Sequence, residues 1–153
     1  MTNDHLKINW ICKSFNDLAN EELYKILQLR NTVFVIEQNC PYQDCDDKDQ
    51  QCYHLMGWQQ DILVAYCRLI PPGIAFKEAS IGRVVTASIV RGKNIGKELM
   101  THSIKYIHEL FGEQSITIGA QLYLKNFYEL FGFIKTGDIY LEDGIEHIQM
   151  HLP

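Results

Sequence analysis

An α/β fold, built on a mixed and mostly antiparallel central sheet flanked by helices, is what the sequence predicts, and three observations predict it. Short stretches of strand length alternate apolar and polar residues. Longer stretches carry apolar residues at helical spacing. Gly, Pro and an Asp-Gly pair punctuate the boundaries between them. Taken in order, Lys7 to Lys13 alternates Ile8, Trp10 and Cys12 and predicts a first strand. Leu23, Ile26, Leu27, Arg30, Val33 and Phe34 recur as on a helix face, behind Glu21 and Glu22, where a first turn favours acids. Asn39 to Gln51 is a polar, acidic loop. Tyr53 to Trp58 and Ile62 to Ile70 predict two strands around a Gln60-Asp61 turn, the second stopped by Pro71-Pro72-Gly73. Ser80 to Thr86 predicts another. Leu99, Met100, Ile104, Ile107, Leu110 and Phe111 mark a helix ending at Gly112. Ser115 to Gln121 predicts a strand and Leu122 to Phe131 a short helix, closed by Gly132. Phe133 to Leu141 and Ile145 to Leu152 predict a hairpin, because Asp143-Gly144 suits a two-residue turn. The resulting order is β-α-β-β-β-α-β-α-β-β.

Bulk properties narrow the class. A chain of 153 residues suits one domain spanning 1–153, and 46% hydrophobic with 22% charged residues predicts a soluble globule. No apolar run approaches the ~18 residues of a membrane span, and no apolar segment follows a basic start, so neither a membrane nor export is expected. The five cysteines (Cys12, Cys40, Cys45, Cys52, Cys67) are an odd number in a chain large enough to fold without staples, which predicts a reducing, cytoplasmic setting. A net charge of −5 with no basic stripe argues against a nucleic-acid partner.

Ile81 to Met100 carries the chemical signal: a strand, the loop Val90-Arg91-Gly92-Lys93-Asn94-Ile95-Gly96, then a helix. Glycines opening a helix let backbone N–H groups approach a pyrophosphate, and the helix dipole favours the anion. Arg91, Lys93 and Lys97 add positive charge there. A cationic turn that only caps a helix is the plainer alternative. No Lys-Ser or Lys-Thr follows Gly96, and the Gly-x-Gly-x-x-Gly spacing is absent, so neither a Walker loop nor a dinucleotide fingerprint is present.

Arg91-Gly92-Lys93-Asn94-Ile95-Gly96 resembles the Gln/Arg-x-x-Gly-x-Gly/Ala loop of the GCN5-related N-acetyltransferases (GNAT), and Phe127-Tyr128-Glu129-Leu130-Phe131-Gly132-Phe133 resembles their Phe-Tyr-x-x-x-Gly-Phe segment. Leu29 to Gln38, Cys40-Pro41-Tyr42 with the Asp-rich loop, and Tyr140 to His147 are similar to the ElaA-like branch. The resemblance covers nearly the whole chain. It implies the GNAT acyl-CoA N-acyltransferase fold and acetyl-CoA as co-substrate, with a small-molecule or peptide amine as acceptor. It implies that Val84, Val85 and Thr86 offer backbone hydrogen bonds to the pantetheine arm, that the stretch from Arg91 to Lys97 holds the pyrophosphate, and that Tyr128 faces the thioester sulfur. Two positions depart from the pattern. Asn94 stands where glycine is usual, yet asparagine tolerates positive φ. Gln121, which the resemblance places among the cofactor-binding residues, stands where many relatives carry asparagine just after the split strand.

The chemistry sets its own demands. An alkylamine with a pKa near 10 is neutral in only about one molecule in a thousand at pH 7, so a base must take a proton before nitrogen attacks. Tyr128 is the candidate acid for the thiolate. Glu37 and His54 are the leading candidate bases, with His147 a third. Asp44, Asp46, Asp47 and Asp49 crowd one loop with only Lys48 to offset them. That predicts an electrostatic funnel for a cationic acceptor, in which Asp46 and Asp49 bind substrate. Cys40, Cys45, Cys52 and His54 around these aspartates match no common zinc spacing, so no metal is expected. The expected activity is direct transfer in a ternary complex, since no cysteine has a matched histidine partner. The rivals are a non-catalytic acyl-CoA-binding sensor and a zinc-stabilised interaction module. The last strands are candidates for pairing across a homodimer.

Overall fold

The computed structural model describes residues 7–153. Its elements run β1 (Asn9–Ser14), α1 (Asn20–Arg30), β2 (Tyr53–Gln59), β3 (Ile62–Ile70), β4 (Ser80–Thr86), α2 (Ile95–Phe111), β5 (Ile116–Gln121), α3 (Lys125–Glu129), β6 (Ile134–Glu142) and β7 (Ile145–Leu152). This is the order the sequence predicts. Two antiparallel sheets result, ordered β1-β2-β3-β4 and β5-β7-β6. Their edge strands β4 and β5 run parallel and touch through one bridge, Ala79 with Ile116, where the Thr117 N–H donates to the Ala79 carbonyl at 3.0 Å. The arrangement is therefore a mixed sheet that parts in the middle.

Packing explains each pattern. β3 is buried from Leu63 to Ile70 because helices cover both of its faces, so it reads as a continuous apolar run and not as an alternation. The main core lies between α2 (Leu99, Met100, Ile107) and residues from both sheets, including Leu69, Ile118 and Met150. A second cluster packs Ile26, Leu29 and Phe34 against Met56, Tyr66 and Val85 on the opposite face of the first sheet. β6, by contrast, is an edge strand and almost wholly exposed. In the β6–β7 turn, Asp143 and Gly144 adopt φ of 51° and 78°, the twist that an Asp-Gly pair supplies at low cost.

The first helix differs from expectation. After Arg30 it widens into a π-helical run, Asn31–Glu37, closed by Gln38 N–H to Val33 O at 3.1 Å and Cys40 N–H to Val35 O at 3.0 Å. The wider turn re-phases the side chains that follow, a device often found at functional sites.

The acidic loop also differs, and here the structure corrects the sequence. Asp46 and Asp49 are not free charges of a funnel, because arginines from three elements neutralise the loop. Arg30, fully buried at the end of α1, donates from Nε to Asp44 at 2.7 Å and from Nη1 to Asp49 at 2.8 Å. Arg68 on β3 pairs with Asp46 and, at 3.0 Å, with Asp49. Arg83 on β4 donates to the Asp44 carbonyl at 2.9 Å, and its Nε lies 2.7 Å from Asp44 Oδ1. Burial works to raise the Asp46 and Asp49 carboxyls, but the guanidiniums outweigh it and hold both below the usual carboxylate range.

This network predicts two stability effects. Asp49→Asn should cost about 3–5 kcal/mol in denaturant unfolding, because it leaves two buried guanidiniums short of their counter-charge. Because the folded-state values are depressed, the contribution is complete above the unfolded carboxylate value of ~4 and is lost as pH falls below it. An acid titration of melting temperature should therefore fall more gently in Asp49→Asn than in wild type; parallel curves would contradict the assignment.

Candidate active site

The site begins where β4 and β5 part. Past Ala79, no further pairing joins the two strands among the described residues. A bulge interrupts the β3–β4 ladder between Tyr66 and Arg68, opposite Arg83, whose backbone is left-handed at φ 51°. Bulges add twist, and this one lies on β4 beyond its single bridge to β5. Val84 is half-buried there and Val85 packs into the second cluster, while the Thr86 carbonyl accepts from Arg91 Nη2 at 3.0 Å.

Beyond β4 the chain turns into α2. Gly92 takes φ 77°, with nothing within 4 Å of where a Cβ would stand. Asn94 adopts φ 63° and ψ 14°, the left-handed turn that asparagine tolerates. The side chain of Ile95 is buried and anchors the helix start, while Lys93 and Lys97 project into solvent. No side chain caps α2, so the N–H groups of its first turn, Ile95 to Lys97, remain available to an anion. A Cβ on Gly96 would meet only the Phe127 ring, at an ordinary contact distance of 3.7 Å.

Side chains close the mouth of the parting. Arg91 holds Glu37 in a bidentate pair, at 2.9 and 3.0 Å. Gln38 and Gln121 exchange hydrogen bonds at 3.3 and 3.4 Å, which ties the end of the π-helical run to the end of β5. Cys40 Sγ donates to the Asp143 carbonyl in the β6–β7 turn at 3.2 Å. Tyr128 sits on α3 at 5% exposure, edge-on to Phe127 and Phe133. Burial pushes its phenol well above the ordinary range, so it stays protonated as a donor. No hydrogen-bond partner occupies its hydroxyl among the described residues.

Two of the predicted bases fare poorly. His54 is fully buried with both ring nitrogens in use: Nε2–H donates to the Asp49 carbonyl at 2.9 Å, and Nδ1 accepts from the Tyr66 hydroxyl at 2.7 Å. Burial lowers its proton affinity further, so it is a neutral strut of the acidic loop and not a substrate base. Glu37 is exposed, but its hydrogen bonds to Arg91 hold it below the ordinary carboxylate range and weaken it as a base. The cysteines of the acidic loop do not converge: Cys52 donates to Lys48 O at 3.2 Å, Cys40 faces the β6–β7 turn, and Cys45 is exposed.

The parting of the sheet and the Gly-rich helix start define an acyl-CoA acyltransferase, and the comparisons agree. The chain belongs to the GNAT acetyltransferase family, whose acetyltransferase (GNAT) domain matches residues 16–153. ElaA of Escherichia coli (strain K12) is 41% identical over 145 residues, 94% of this chain and 95% of that one. The crystal structure of E. coli ElaA has a TM-score of 0.90 at 39% identity over 96% of this chain and 100% of that one. A UPF0039 protein of Synechocystis sp. is 42% identical over 146 residues, 95% of each chain. The crystal structure of an acyl-CoA N-acyltransferase from Pseudomonas aeruginosa has a TM-score of 0.92 at 40% identity, covering 96% of this chain and 100% of that one.

The left-handed turn makes a direct prediction. Asn94→Gly should leave the melting temperature close to wild type, whereas the β-branched Asn94→Val should lose roughly 1–2 kcal/mol. Equal stability of all three versions would show that residue 94 is not held in that turn.

Proposed function

We propose that the chain moves an acetyl group from acetyl-CoA directly onto the nitrogen of a small-molecule or peptide amine, within a ternary complex. The carrying observation is the parted β4 edge followed, after the short turn Ser88–Val90 and the loop from Arg91 to Asn94, by the uncapped start of α2. An extended pantetheine arm can add to a free strand edge by main-chain hydrogen bonds, with Val84 to Thr86 as its partners. The pyrophosphate then falls on the amides of Gly92 to Lys97, with Lys93 and Lys97 as added charge. The adjacent Gln121 sits at the end of β5, where its bonds to Gln38 border the acceptor side.

Within that frame each group has a task. Nitrogen attacks the thioester carbon, the C–N bond forms and the C–S bond breaks. The departing thiolate takes a proton from Tyr128, whose buried hydroxyl is otherwise unengaged. Direct transfer is favoured over an acyl-enzyme because thiols in the core are poor nucleophiles: burial pushes Cys67 up to about 12, and Cys12 and Cys52 up to about 11. With the acidic loop neutralised by arginines, the acceptor need not be a polycation.

Acetyl-CoA should raise the melting temperature, by the equivalent of about 2.7 kcal/mol at ~100 times its dissociation constant. Free-thiol release should then follow on adding amines, which separates transfer from an acyl-CoA sensor. Tyr128→Phe should lower kcat at least tenfold while acetyl-CoA affinity by calorimetry stays within about twofold. Wild-type turnover in that variant would place the acid elsewhere.

A further inference from the structure

The β6–β7 hairpin brings a histidine to the acceptor end of the parting in a defined protonation geometry. His147 on β7 stands directly opposite Gln121 on β5 and Tyr140 on β6. Directly opposed residues share a sheet face, and the Gln121 amide on that face reaches Gln38 at the mouth. From there, Glu37, Arg91 and the Thr86 carbonyl complete a continuous line to the end of β4. His147 therefore shares with Gln121 the sheet face from which that amide reaches the end of the π-helical run.

Its ring is oriented by the backbone. Nδ1 lies 2.8 Å from the Ile145 carbonyl, and a carbonyl only accepts, so Nδ1 carries the proton. That leaves Nε2 as a lone pair, and Glu142 Oε2 stands 3.5 Å from it. The Glu142 side chain is 57% exposed, so the dyad is reachable from solvent although the histidine itself is 8% exposed. The Tyr140 ring lies 5.7 Å from the imidazole. A Cβ on Gly119 would come within 2.5 Å of the Tyr140 hydroxyl, so glycine is what lets that ring lie across β5. Of titratable groups facing His147, Tyr140 and Glu142 come from β6; the β5 neighbour, Gln121, is neutral. Burial, and then Glu142, push the Tyr140 phenol up, which leaves it protonated and no competitor as a base.

We propose that His147 Nε2 is the proton acceptor for the incoming amine, directly or through one water, with Glu142 as the positioning residue that stabilises the imidazolium. The assignment rests on the transferase function proposed above. The ammonium gives one proton to Nε2 and becomes a neutral nucleophile; its nitrogen then bonds the thioester carbon as the C–S bond breaks. The second nitrogen proton balances the one the thiolate takes up through Tyr128, so one proton per turnover leaves by His147.

The test is free-thiol release from acetyl-CoA with a panel of primary amines (spermidine, tyramine, a lysine peptide) between pH 6 and 9. His147→Asn keeps a donor for the Ile145 carbonyl and removes the Nε2 lone pair. It should lose at least ~100-fold in kcat/KM for the amine, with acetyl-CoA affinity by calorimetry unchanged. The deficit should shrink as rising pH deprotonates the amine in solution. Glu142→Gln, a change at an exposed side chain, should lower kcat severalfold with acetyl-CoA affinity unchanged, because the protonated ring loses the carboxylate 3.5 Å from Nε2. An active wild type alongside a His147→Asn variant within ~3-fold and of unchanged profile would overturn the assignment alone. A wild type that binds acetyl-CoA yet transfers to none of these amines would remove the transferase function, and this assignment with it.

Discussion

One left-handed residue in a strand governs the geometry of this protein. Arg83 sits in β4 with φ 51°, a conformation that costs an ordinary residue roughly 1–2 kcal/mol, and it marks the bulge on that strand. The conformation holds because the guanidinium is fixed from several sides, by the Asp44 carboxylate and carbonyl, by Asp46, and by the face of Tyr42 at 5.9 Å. Those partners are themselves held by Arg30 and Arg68. The acidic loop is thus a brace: its ion pairs hold Arg83 in its left-handed conformation at the bulge, past the one bridge that joins β4 to β5.

This arrangement separates two electrostatic tasks. Carboxylates on the α1 face of the first sheet are neutralised internally and serve geometry. Groups at the mouth, Glu37 with Arg91 and Glu142 with His147, lie nearer solvent and can respond to a bound molecule. Paired buried charges contribute little net stability compared with an apolar core, so the position they enforce is the better reason for their presence. The π-helical run fits the same logic, since it aims Glu37 and Gln38 at the parting.

Much of this was legible in the sequence, because local patterns fixed local structure. Asp143-Gly144 forms the turn it encodes, and Asn94 occupies the positive φ that a glycine would have filled. The strands and the long helix α2 fall where apolar periodicity put them, whereas the helical spacing did not show the π-helical run Asn31–Glu37 or the 3-10 turn Leu122–Leu124 before α3. The acidic loop was misread because its partners are remote: Arg30, Arg68 and Arg83 lie on three different elements, up to 39 residues from the aspartates they bind. Counting charges along a segment cannot register counter-ions that only folding supplies. His54 failed for the same reason, since nothing adjacent to it foretells a fully buried ring between Asp49 and Tyr66. His147 stood in the sequence only as a third candidate base, because its place opposite Gln121 on β5 is a long-range pairing that no local pattern encodes.

The central claim is that the parted β4 edge and the start of α2 together hold acetyl-CoA. Backbone amide shifts of the isotope-labelled chain, titrated with acetyl-CoA, test it most directly. The account predicts that the largest changes fall on Val84 to Thr86 and on Gly92 to Lys97, with Asp44 to Asp49 nearly still because the brace does not move. Changes centred elsewhere, for example on the surface hollow lined by Gln28, Thr32 and Asp61, with Gly92 to Lys97 unaffected, would contradict it.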